Sequence, residues 1–61
     1  MSSERIDTIW REGRRMATSI HPGYEYREYD GYIYQWKPCG KFNGWLCRSS
    51  HARIFQLSEV E

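Results

Sequence analysis

Apolar residues in the first third of the chain recur at helical spacing. Ile6, Ile9, Trp10, Gly13, Met16, Ala17 and Ile20 follow one another at intervals of three and four. On a helical wheel they share an arc of about 120°. This predicts an amphipathic helix over Ser3–Ile20, with Ser3 as N-cap and Glu4 near the positive end of the helix dipole. Pro22 pushes His21 out of helical geometry, and Gly23 completes the stop. Ile9 and Trp10 are expected to be buried. A glycine inside a helix costs about 1 kcal/mol, so Gly13 in the apolar stripe implies close approach of the sheet, beneath an aromatic ring.

After Gly23 the period shortens to two. Tyr24–Trp36 reads YEYREYDGYIYQW and holds all five tyrosines. Asp30-Gly31 between these runs is a hairpin signal. Two registers compete. A two-residue loop, Asp30-Gly31, sets Tyr29 opposite Tyr32, Arg27 opposite Tyr34 and Glu25 opposite Trp36. A three-residue loop, Tyr29-Asp30-Gly31, sets Glu28 opposite Tyr32, Tyr26 opposite Tyr34 and Tyr24 opposite Trp36. The second gathers Tyr24, Tyr26, Tyr32, Tyr34 and Trp36 on one face and suits Gly31 in a G1 bulge. It is the preferred register, because one helix needs one apolar sheet face.

Pro38 ends the second strand, and Asn43-Gly44 is a turn signal. Trp45–Arg48 reads as a third strand, Ser49-Ser50-His51 as a turn and Arg53–Leu57 as a fourth strand. Residues 58–61 are too short for a helix and are expected to fray. The predicted fold is α+β: one N-terminal amphipathic helix packed on a three- or four-stranded antiparallel meander.

At 61 residues the chain is expected to form a single domain, 1–61, with a marginal core. An aromatic content of 16% enlarges that core, because each ring buries a large area. A net charge of +1 argues against a strongly basic nucleic-acid coat. The charge is uneven, however. Residues 37–53 carry Lys37, Lys41, Arg48 and Arg53 and no acid. Arg11, Arg14 and Arg15 fall on the polar side of the predicted helix, with Asp7 one turn before Arg11.

The residues bearing chemistry do not assemble into a reaction centre. His21, Cys39, Cys47 and His51 lack zinc-ligand spacing. No phosphate-binding loop or paired-carboxylate pattern is present. Neither enzyme activity, a metal nor a cofactor is expected. The charged start MSSERIDTIW lacks the apolar run of a secretory leader, and no apolar stretch approaches membrane length. A cytoplasmic protein with free thiols, in no contact with membrane, is expected.

Binding is the remaining class. Phe42 and Trp45 flank a glycine-rich turn bordered by Lys37 and Lys41, a composition suited to a hot spot for an acidic surface. The competing reading puts Trp45 in the core and folds Phe42 over the sheet edge. The candidate partner-binding residues are Arg11, Arg14, Arg15, Lys37, Lys41, Phe42, Arg48 and Arg53. They would meet a host protein or nucleoprotein complex with an acidic patch. A nucleic-acid regulator using the same basic residues, with weak direct binding, is one alternative. A structural subunit dimerising through aromatic surface is another, so monomer and homodimer both stay open.

The frame Gly31-Tyr-Ile-Tyr, Gly44-Trp-Leu-Cys and Phe55-Gln-Leu-Ser-Glu, spread over the second half of the chain, resembles that of many very small phage and plasmid proteins. Anti-CRISPR proteins and other inhibitors of host defence are among them. The resemblance implies a non-enzymatic protein of the host cytoplasm that binds a host macromolecule and blocks it by steric occlusion. It assigns no role to any single residue.

Overall fold

The computed structural model describes residues 2–60. Helix α1 spans Ser3–Glu12. It is followed by strands β1 (Arg14–Ala17), β2 (Glu25–Tyr29), β3 (Tyr32–Trp36) and β4 (Phe42–Arg48). A 3-10 helix, Ser49–Phe55, leads to the two-residue β5, Ser58–Glu59. The order across the sheet is β4-β3-β2-β1-β5, and every pair is antiparallel. The fold is α+β, as the periodicities predict, with five strands instead of three or four.

The predicted helix is too long by eight residues. Its N-cap is Ser2, whose Oγ accepts from the Arg5 N–H at 3.3 Å, and its C-cap is Gly13, whose N–H donates to the Ile9 carbonyl at 2.8 Å. Residues beyond Gly13 leave the helix for β1, where Arg14, Arg15 and Met16 stand opposite Glu28, Arg27 and Tyr26. Gly13 does mark close approach to the sheet. A Cβ there would lie 2.9 Å from the Arg27 Cβ and 3.3 Å from the Glu28 carbonyl oxygen. The neighbour is thus strand β2 and not an aromatic ring.

The β2–β3 hairpin adopts the two-residue register, which overturns the preferred three-residue loop. Tyr29 faces Tyr32, Arg27 faces Tyr34 and Glu25 faces Trp36. Asp30 and Gly31 have φ of 53° and 85°, the two positive values of a type I′ turn, whose twist matches the strands. The aromatics are therefore divided between two faces, and each face has its own cover. On one side α1 packs Ile9 against Tyr34 and Trp36, with Ile6, Tyr29 and Phe42 around them. On the other, Tyr26, Ile33, Cys47 and Leu57 form a second core, closed by Phe55 and Ala52 of the 3-10 helix. Tyr26, Ile9 and Ile33 are fully buried, worth about 1.5–3 kcal/mol each for apolar side chains of this kind. The Tyr26 hydroxyl is satisfied by the Gln35 side-chain amide, which donates to it at 3.1 Å.

The segment predicted as a fourth strand, Arg53–Leu57, instead completes the 3-10 helix and turns at Gln56, which has a φ of 54°. Thr18 donates its hydroxyl to the Phe55 carbonyl at 2.7 Å and ties this helix to the end of β1. The chain then returns to the far edge, where Ser58 and Glu59 pair with Ala17 and Met16. Residues 58–60 are held by this pairing and do not fray, since the Val60 N–H donates to the Arg15 carbonyl at 3.0 Å. Glu61 lies outside the described residues.

Arg27 joins the helix to the sheet. It is 6% exposed and lies beneath Trp10, with its guanidinium carbon 3.9 Å from the ring centroid. Its Nε donates to the Trp10 carbonyl at 3.3 Å, and its Nη1 donates to Glu25 at 3.1 Å and to the Tyr26 carbonyl at 2.9 Å. A cation at the last turn of a helix also meets the negative end of the dipole. Trp10 is 41% exposed, contrary to expectation. It caps Arg27 and meets Trp36 edge-on at 5.0 Å, while Ile9 alone fills the core from this turn.

Candidate binding surface

A helix is about 10 Å across, and strands lie about 4.8 Å apart. Seated over β2, α1 covers β2 and β3 and leaves the outer strand uncovered. On that helix-side face Phe42, Trp45 and Arg48 of β4 stand opposite Trp36, Tyr34 and Tyr32. Phe42 is drawn into the core, meeting Trp36 edge-on at 5.2 Å and Tyr34 at 6.3 Å. Trp45 is 61% exposed and Tyr32 38%. Their rings pack edge-to-face at 5.8 Å, and Arg48 is exposed beside them. Across the hairpin Tyr29 continues the row, with the guanidinium of Arg5 5.9 Å from its ring centroid.

The result is an aromatic strip, Tyr29–Tyr32–Trp45, with Arg5 at one end and Arg48 at the other. Rings fixed by edge-to-face packing need little further ordering to bind, and cations beside them favour a carboxylate-bearing partner. Of the two readings of the glycine-rich turn, each holds for one ring: Trp45 is the exposed residue and Phe42 folds inward.

The sequence-predicted basic residues do not form one patch. Arg14 and Arg15 belong to β1 and not to the helix. Their register puts Arg15 on the side of Arg27 and Arg14 on the other. Arg14 pairs with Glu59 at 3.2 Å, and Arg11 pairs with Glu12 at 3.3 Å instead of Asp7. Both pairs are exposed and contribute little to stability. Lys37 and Lys41 close the β3–β4 loop together, the Lys37 N–H donating to the Lys41 carbonyl at 2.9 Å. Arg48 lies at the opposite end of β4, roughly 16 Å away, because the seven residues of β4 stand opposite only five of β3. Arg53 sits on the 3-10 helix, which covers the other face. Lys41 and Arg48, further apart than the roughly 8 Å screening length at physiological salt, act as independent charges.

Sequence reasoning left Tyr32, Tyr29 and Arg5 out of the site. The two-residue turn was the available signal, since that register alone aligns Tyr29 with Tyr32 on the helix-side face. Among the described residues no group of three or more metal-ligating side chains occurs. Cys39 is exposed and Cys47 buried, both free, and burial pushes the Cys47 thiol up. No described helix is long and apolar enough to cross a membrane. No family model matches the sequence, and no curated protein or solved structure matches it either.

Proposed function

We propose that this chain is a small non-enzymatic binding protein that modulates a partner macromolecule by occluding part of its surface. The observation that carries this reading is the exposed Tyr32–Trp45 pair with Arg48 beside it. Tryptophan, tyrosine and arginine are the residues most enriched at interface hot spots. The core has no use for Trp45 in this position, because both buried clusters are complete without it. The resemblance to phage- and plasmid-encoded inhibitors of host defence points to the same mode of action, in the cytoplasm of a host cell. An acidic protein surface is favoured over nucleic acid. A single-strand platform needs successive open rings along a basic track, whereas Lys41 and Arg48 lie roughly 16 Å apart with one largely exposed ring between them.

The test compares wild type with the Trp45→Ala, Arg48→Glu double variant as baits in a bacterial lysate, beside thermal melts of both. Both side chains are exposed, so the melting temperature should hardly change. A specific partner of the wild type should bind the double variant at least about tenfold more weakly. Equal capture by two equally stable baits would remove this surface from the function.

A further inference from the structure

We infer that the free edge of β4 accepts an extended, acidic segment of the partner as a sixth strand; the inference rests on the binding reading above and specifies its geometry. At Phe42–Arg48, β4 is the longest strand and ends the sheet, with β3 as its only neighbour among the described residues. The opposite edge, β5, is two residues long and offers almost no ladder. An unpaired strand presents a row of backbone donors and acceptors that another strand can complete.

Charge selects the occupant. Lys41 precedes β4 and Arg48 ends it, and no acid lies anywhere between residues 37 and 53. The seven residues of β4 stand opposite only five of β3, so these two cations are roughly 16 Å apart, the span of about five extended residues, and an acidic residue near each end of such a segment reaches one of them. Between them, an apolar residue lies against Trp45. A second copy of this chain is disfavoured on the same grounds. Its own β4 would bring to this edge the same two cations, Lys41 and Arg48, and no acid. Like charges facing across a ladder are destabilising. Register shifts in the β3–β4 pairing, between Ile33 and Tyr34 and between Gln35 and Trp36, bend this edge. They restrict it to a short added strand and away from open-ended stacking.

The probe is an acetylated, amidated heptapeptide, Glu-Val-Glu-Thr-Glu-Val-Glu, titrated into the full chain and followed by backbone amide spectra and hydrogen exchange. Two controls accompany it: the same peptide N-methylated at alternate residues along each edge, and a version with lysine for glutamate. The expected result is slowed exchange of β4 amides with the glutamate peptide. The N-methylated forms that block the pairing edge should bind at least about tenfold more weakly, and the lysine peptide should not bind. Equal binding by all N-methylated forms would overturn strand addition while leaving the Trp45–Arg48 surface as a side-chain site. No slowing of β4 exchange by the glutamate peptide at millimolar concentration would overturn it too, as would concentration-dependent dimerisation lost on Trp45→Ala, which would assign the edge to a second copy.

Discussion

Arg27→Leu should lower the stability of this domain by about 3–4 kcal/mol and leave it close to unfolded at room temperature. Three losses add up. The guanidinium lies 3.9 Å from the Trp10 ring centroid, and a desolvated cation–π contact is worth about 2 kcal/mol. It donates to the Trp10 and Tyr26 carbonyls, and hydrogen bonds from a charged group contribute about 1.5–3 kcal/mol each. Glu25, the third partner, has a side chain 42% exposed, so it regains water and adds little. Contacts of one side chain are coupled, which keeps the total below their sum. A domain of this length has only about 3–9 kcal/mol in all. Arg27→Lys should recover part of the loss, because an ammonium keeps the charge without the planar fork. Urea titration of the three proteins checks the order. An Arg27→Leu variant with a wild-type midpoint would show that the guanidinium does not hold helix to sheet.

Gly13→Ala should destabilise by about 1–3 kcal/mol, and here the sign is the informative part. Inside an exposed helix the same change would stabilise by about 1 kcal/mol. The backbone of Gly13, at φ −70° and ψ 155°, suits alanine, so no conformational strain enters. The cost is steric. The new Cβ would lie 2.5 Å from the Ile9 carbonyl oxygen and 2.9 Å from the Arg27 Cβ. Neither is the end of a flexible side chain, so α1 must lift from β2 and loosen the cap on Arg27. A higher melting temperature for Gly13→Ala would mean that the helix continues through this position.

The parts of the fold that were legible are those set by local chemistry. Ile6 and Ile9 define the buried stripe of α1, and Asp30-Gly31 marks the hairpin. The preferred hairpin register failed for one physical reason, the assumption of a single covered sheet face. Under that assumption Tyr26 had to join Tyr34, which forced the three-residue loop. With the 3-10 helix covering the second face, Tyr26 and Tyr34 belong on opposite sides and the simpler turn follows. The helix was overextended because Met16 and Ala17 continue the spacing of Ile9 and Trp10 by coincidence across Gly13. Met16 serves a strand instead, packing on the core beside Tyr26. The basic residues were legible as charges but not as positions. Arg14 and Arg15 left the helix face once the helix ended, while Arg48 gained neighbours only when pairing set it opposite Tyr32. Trp45 was legible as a candidate hot spot. Its exposure depends on how far α1 reaches across the sheet, which no local pattern encodes.

The most direct measurement is a hydrogen-exchange footprint of the full chain bound to the partner that it captures. Protection should concentrate on β4 and the adjoining Tyr32, with β1, β5 and the 3-10 helix unchanged. Protection confined to the 3-10 helix around Arg53 and Ile54, or to the helix surface around Arg11, with β4 exchanging as in the free protein, would contradict the assignment of the binding surface.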